Sequence, residues 1–426
     1  MNKDGFVLHG AVAYCKDKDT LITYEDAYVV CVEGICRGVF ETLPKEYAGL
    51  PCEDLWDKLI IPGLIDLHVH ASQFQLRGNG MDMELLEWLN YYIFPEEAKY
   101  SDLEYAERAY DLFVEDLYVG GTTRAVVFAT IDPDATLGLM DMLEDTGLIT
   151  YVGKVNMDRN APDYYIETTE ESLELTRNWL DAAAESEYRN TRPILTPRFT
   201  PTCSRELLKG LGAIVKEYDV PVQSHLSENL GEIESVKKLE PDTAFYAESY
   251  EKAGLLDQNR RCIMAHCVWS PDAEVELLKK NGAFIAHSPD SNTNLGSGVA
   301  PVSRYLELGL HVGLASDVSG GSTASMFAAM RAAVQASKLR WRLYDEKVLP
   351  LSFVNAFYLA TKGGGAFFGK VGSFEDGYEF DAIVIDDEPL RSMREEETIA
   401  ERTERLAYLA DDRHVVGKYV AGRKLF

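Results

Sequence analysis

The stretch Leu59-Ile60-Ile61-Pro62-Gly63-Leu64-Ile65-Asp66-Leu67-His68-Val69-His70 reads as a buried strand over 59–67 that delivers two histidines at its end. Side chains alternate along an extended strand, so His68 and His70 project to the same side, close enough to grip one metal ion. Neutral imidazoles suit a borderline ion such as zinc. Two histidines alone are a weak signal, because a strand can carry them for packing. The pair gains weight from the same arrangement further along the chain. Val220-Pro221-Val222-Gln223-Ser224 runs into His225, Cys262-Ile263-Met264-Ala265 into His266, Ala283-Phe284-Ile285-Ala286 into His287, and Val312-Gly313-Leu314-Ala315-Ser316 into Asp317.

Between these runs lie amphipathic stretches, such as 204–218 and 270–281, that open on Ser204 and Ser270, hydroxyl residues able to cap a helix. Strands alternating with helices imply a parallel sheet. Polar residues gathered at C-terminal strand ends are where a (β/α)₈ barrel builds its site. Eight strands are expected at 59–67, 124–128, 150–155, 193–196, 220–224, 262–265, 283–286 and 312–316, with further helices at 85–94, 102–118, 170–184, 322–340 and 352–361. The segment 71–100 is long for a strand-to-helix connection and should roof the site. Short strands at 6–15, 27–32, 35–40, 381–385 and 415–420 lack the apolar surface for independent cores. The expected fold is α/β: a TIM barrel over 59–369, clasped by a small β domain built from both termini, 1–58 and 370–426.

Composition bounds the function. Hydrophobic content of 46% and charged content of 26% are those of an ordinary globular chain. No apolar run approaches the roughly 18 residues of a membrane span. Met1-Asn2-Lys3-Asp4 opens no signal peptide, which points to the cytoplasm. A net charge of −28 repels nucleic acid and anionic lipid and leaves a small molecule as the expected partner, although it also serves solubility. The seven cysteines are scattered, odd in number and form no Cys-x-x-Cys pair, so neither disulfides nor metal ligation is expected of them.

His68, His70 and His225 can supply neutral nitrogens and Asp317 a carboxylate oxygen, leaving a position for water. A second metal would need a bridging Lys or Glu on the fourth strand. Pro193-Ile194-Leu195-Thr196-Pro197-Arg198 has neither, so one ion is expected. Glu228 follows His225 by three residues, where strand turns to helix; a carboxyl there can shuttle protons in hydrolysis at an aromatic carbon. The bland alternative is a helix-start Glu favoured by the dipole. For His9, His311 and His414 a purely structural role is expected.

The Pro62-to-His70 opening, His225 with Glu228, His266 and Ser316-Asp317 resemble the deaminase branch of the amidohydrolase superfamily. Four further segments resemble the guanine deaminases within it: His70-Ala71-Ser72-Gln73-Phe74, Leu85-Leu86-Glu87-Trp88-Leu89 with Phe94-Pro95-Glu96, Thr196-Pro197-Arg198-Phe199-Thr200, and Ser316-Asp317-Val318-Ser319-Gly320-Gly321. Ser72-Gln73-Phe74 stands where that family usually has Pro-Gln-Tyr. The resemblance implies that His68, His70, His225 and Asp317 bind one Zn²⁺, with Fe²⁺ as the other candidate. It implies that Glu228 protonates the purine ring and the leaving amine, that Asp317 takes a proton from the zinc-activated water, and that His266 orients this water. Gln73, Arg198 and Phe199 would hold the base, and the enzyme would be a homodimer. Rival readings are the same chemistry on another purine, nucleoside or triazine, a two-metal cyclic amidase, and a metal-free binding barrel. The last fits poorly, because no ligand is missing.

Overall fold

The computed structural model describes residues 5–390, 392–394 and 397–426; Met1-Asn2-Lys3-Asp4, on which the reading of the N-terminus rests, lie outside them. The apolar run at 59–67 is not one strand. It is cut at Gly63 into Cys52–Pro62 and Leu64–His70, which belong to different sheets. Within two residues the backbone changes partner: the Gly63 N–H donates to the Asp381 carbonyl (3.2 Å) and the Leu64 N–H to that of Gly121 (3.1 Å). The switch needs glycine, because a Cβ on Gly63 would lie 2.2 Å from Thr123 Oγ1 and 2.3 Å from its Cγ2. Gly63→Ala should therefore cost about 1–3 kcal/mol, read as a lower denaturation midpoint, and Thr123→Ala in the same chain should recover only part of it, because the Cβ that remains would still lie 2.8 Å away.

The barrel has eight parallel positions. Leu64–His70, Thr122–Phe128, Ile149–Gly153 and Thr191–Pro193 form one run; Val222–Leu226, Cys262–His266, Phe284–His287 and His311–Leu314 form the other. Leu195 joins them, accepting from Gln223 N–H (2.9 Å) and donating to the Pro221 carbonyl (2.9 Å). The opposite seam is closed by Asp317 N–H donating to the His68 carbonyl at 2.9 Å and His70 N–H to that of Val318 at 3.0 Å. The fourth strand, expected over 193–196, breaks into Thr191–Pro193 and Thr196–Pro197. Pro193 and Pro197 lack the N–H that a continuous ladder requires. Ile65, Leu67, Val126, Ile194, Ile263 and Ala286 are among the side chains that pack the barrel interior beneath the site.

Helices cover the outside, and here local chemistry explains the boundaries. Ser204 caps Arg205–Tyr218, accepting from Leu207 N–H at 3.0 Å. Ser270 does not cap: Asp272–Lys280 begins after Pro271, with no side-chain capping hydrogen bond at its start. The helix expected at 85–94 is Leu85–Trp88, a wider π turn over Leu89–Ile93, then Phe94–Glu97. Pro133–Thr146 and Ile399–Leu409 were not expected. The first nonetheless carries helix punctuation: Asp132 accepts from Ala135 N–H (2.9 Å), Pro133 opens it, and Gly147 ends it at φ 77°.

A seven-stranded sheet collects both ends of the chain, in the order Arg423–Lys424, Val415–Val420, Ala382–Ile385, Cys52–Pro62, Gly5–Asp17, Thr20–Val32, Ile35–Phe40. Two buried basic side chains tie it to the barrel. Arg124 forks onto Asp381 through Nε (2.7 Å) and Nη2 (2.9 Å). Lys418 donates to the Leu117 carbonyl (3.1 Å) in the last turn of Leu103–Val119 and to the Thr122 carbonyl (3.1 Å) at the start of the following strand. Among the described residues no helix is long and apolar enough to cross a membrane.

Candidate active site

Four strand ends bring their polar residues to one point. His70 Nε2 lies 3.2 Å from His68 Nε2 and 3.2 Å from His225 Nε2, and Asp317 Oδ1 is 3.0 Å from His68 Nε2 and 3.5 Å from His70 Nε2. Donors on a tetrahedral ion with bonds of about 2.0–2.1 Å stand about 3.3–3.4 Å apart, so these separations fit a single ion. Protonated imidazoles would repel one another at this distance. Burial, reinforced by the neighbouring histidines, pushes His68, His70 and His225 well below the ordinary histidine range, which leaves lone pairs to offer. His225 is oriented by its other nitrogen, Nδ1, 2.6 Å from the Arg198 carbonyl; donation there leaves Nε2 bare.

Asp66 is not part of this group. Its carboxylate accepts from the N–H groups of His68 (3.1 Å) and Ser316 (3.0 Å) and from the Ser316 hydroxyl. It thereby locks the first strand to the last. His266 Nε2 is buried without a hydrogen-bond partner and faces Glu228 Oε2 at 3.4 Å and Asp317 Oδ2 at 3.7 Å. Its Nδ1 is 2.9 Å from Asn292 Oδ1, which fixes the ring. The backbone at the strand ends is held in the left-handed region at Ser227 (φ 48°), His266 (73°) and Asp317 (49°). Such conformations cost about 1–3 kcal/mol each and cluster where geometry serves function.

Glu228 is not a helix-capping residue. The helix Leu230–Leu239 is capped by Asn229 with Glu232, and Glu232 Oε2 accepts from the N–H groups of Glu228 (2.9 Å) and Asn229 (3.2 Å). The Glu228 side chain is left free to enter the cleft, where Oε1 accepts from the Ser297 hydroxyl at 3.0 Å. Burial, with Asp317 adding to it, pushes Glu228 up to about 8, against a smaller lowering from Ser297. Burial likewise raises Asp317, with His266 opposing.

A cleft of about 370 Å³ opens above these groups, lined by His70, Gln73, Arg198, Phe199, Glu228 and Asp317, with Leu85, Trp88 and Leu89 of the 71–100 segment as its roof. Every sequence-derived site residue therefore lies at this one locus except His68, which sits beneath it among the ligand atoms. His287, also at a strand end, does not line the cleft. His9 pairs with Asp26 (2.6 Å) and Asp54 (3.2 Å) on the terminal sheet, away from the site. The residue not anticipated is Glu97. It is buried on Phe94–Glu97 and takes hydrogen bonds from both Arg198 and Gln73. A signal existed: Leu89, Ile93 and Glu97 recur at i, i+4 and all are buried, so an acid sits on the apolar stripe.

The amidohydrolase family model matches residues 59–425, and the chain belongs to that family. Its relatives are narrower than the family. Guanine deaminase of Dictyostelium discoideum is 39% identical over 379 residues, covering 87% of this chain and 83% of that protein. The Homo sapiens guanine deaminase is 39% identical over 401 residues, covering 90% and 87%. A crystal structure of guanine deaminase from C. acetobutylicum with guanine bound in its active site matches at TM-score 0.95 and 46% identity, covering 99% of this chain and 100% of that one. The resemblance read from the motifs is borne out at both levels.

Proposed function

We propose that this chain hydrolyses guanine at C2, giving xanthine and ammonia. The observation that carries the reading is the meeting of two sets of groups in one cleft: a single-ion cluster with a protonatable Glu228 beside it, and Arg198 with Gln73 on the wall. His68, His70, His225 and Asp317 would hold the ion, zinc before iron. Bound there, it would supply a water acidic enough to act as a nucleophile at neutral pH.

The chain's own residues do the rest. Arg198 offers N–H donors to the C6 carbonyl, Gln73 meets the same edge, and Phe199 packs against the ring face. Glu228, kept protonated by burial, gives its proton to N3 as water adds at C2; Asp317 accepts the proton that water loses, and His266 orients the water. The added hydroxyl then gives its remaining proton to the Glu228 carboxylate, which passes it to the amine as the C2–N bond breaks and ammonia leaves; the proton held by Asp317 returns Glu228 to its acid form. Ammonia and xanthine measured together on the metal-loaded protein test the reading; a protein that releases neither from guanine would refute it.

Metal analysis should find about one zinc or iron per chain, and His225→Ala should remove it. Two tightly held ions per chain would overturn the single-site assignment. The same reading takes 59–369 as the catalytic barrel and 1–58 with 370–426 as the accessory domain of a cytoplasmic homodimer. The charge of −28 supports the absence of polyanionic partners, and mass in solution tests the dimer.

A further inference from the structure

Glu97 takes no part in the chemistry above, yet it is only 1% exposed and faces the substrate wall. Its Oε2 accepts from Arg198 Nη1 at 2.5 Å, and its Oε1 accepts from Arg198 Nη2 at 3.2 Å and from Gln73 Nε2 at 2.9 Å. A carboxylate can only accept. The Gln73 amide is therefore turned with its NH₂ toward Glu97 and its carbonyl oxygen away from it. On that other side the Ser319 N–H stands at a long 3.5 Å, a contact that leaves the oxygen largely free. Arg198 spends two N–H groups on Glu97 and keeps three. Both side chains line the cleft. Its wall thus carries an acceptor from Gln73 beside donors from Arg198, an order set by Glu97.

That order is the complement of a lactam, in which an N–H lies next to a C=O. Guanine presents this pair at N1 and C6. In 2,6-diaminopurine the pair is reversed, with a bare N1 beside an amino group, and 2-aminopurine has a bare N1 beside C–H. All three carry the same 2-amino leaving group. We propose that Glu97 is a positioning residue that fixes the polarity of this wall and makes the cleft a lactam reader. The proposal rests on the guanine reading. An amide at 97 could donate to the Gln73 oxygen, let that side chain turn over, and deprive Arg198 of its anionic partner.

The test compares ammonia release from the three bases by metal-loaded wild type, Glu97→Gln and the exchange variant Gln73→Glu/Glu97→Gln. Wild type should favour guanine over 2,6-diaminopurine in kcat/KM, and Glu97→Gln should shrink that ratio by about 10- to 150-fold, the range of one hydrogen bond to a charged group. The exchange variant keeps one carboxylate and one amide, with the carboxylate moved to residue 73. Its residue 73 has only oxygens to present, so the ratio should return toward that of wild type. If Glu97→Gln fails to fold, the exchange variant decides alone, and loss of its guanine preference overturns the proposal. Equal falls on all three bases, or an unchanged ratio in Glu97→Gln, also overturn it. No ammonia from any base with wild type would instead refute the guanine reading itself.

Discussion

Replacing Glu228 with Gln should lower turnover of guanine by at least roughly 10²–10⁴-fold while the metal stays bound. The amide keeps the shape and can still meet Ser297, but it cannot give a proton to the ring or to the leaving amine. Metal content should be unaffected, because Glu228 is outside the ligand cluster His68, His70, His225. The pH profile supplies a second readout. Burial lifts the Glu228 carboxyl to about 8, so it holds its proton at neutral pH and loses it as pH rises. A cation held by the neighbouring histidines would act in the opposite direction. Activity should therefore fall on the alkaline side through a limb at or below pH 8, and the residual activity of Glu228→Gln should lack that limb. Near-normal turnover in the variant would move the acid–base role elsewhere, with His266 the nearest candidate at 3.4 Å.

The convergence was legible because it depends on one-dimensional rules. Alternation puts His68 and His70 on one side, and apolar runs ending in His225, His266 and Asp317 mark the C-terminal ends of parallel strands. What escaped the sequence depends on contacts made across the fold. Gly63 looks like part of a continuous apolar run, and only Thr123, sixty residues on, shows why the strand must change sheets there. Ser270 has the right chemistry for a cap, but the following Pro271 occupies the cap position itself. Glu97 follows Glu96, and the two look interchangeable in the sequence. Both are buried, but Glu96 pairs locally, with Lys99 (2.6 Å) and the Tyr105 hydroxyl, while Glu97 reaches Arg198, a residue 101 positions away. Its i, i+4 spacing from Ile93 was the available clue.

Guanine should be turned over better than adenine by roughly 10³ or more, because a site built to match a hydrogen-bonding edge rejects the mismatched base far more strongly than an apolar pocket can. Arg198 offers only donors and keeps its charge: burial works against the guanidinium, but Glu97 outweighs that and holds it above its ordinary range. The C6 carbonyl of guanine accepts from such a group; adenine held the same way would set its 6-amino group against donors and bring a C–H, not an amine, to the reacting carbon, so any ammonia it yields comes from a turned-over pose in which Arg198 has no carbonyl to meet. A hydrogen bond to a charged group is worth about 1.5–3 kcal/mol, so Arg198→Met should lower kcat/KM for guanine by roughly 10–150-fold and for adenine by much less. The same change strands Glu97 in the interior without its cation, at a cost of about 3–5 kcal/mol in stability. Arg198→Lys separates the two effects. It restores a positive charge beside Glu97 and most of the stability, but a point charge cannot serve the carboxylate and the carbonyl in one plane. Its guanine kcat/KM should therefore stay well below that of wild type while its denaturation midpoint recovers. Equal losses on guanine and adenine in both variants would make Arg198 a scaffold residue and remove the physical basis for lactam recognition.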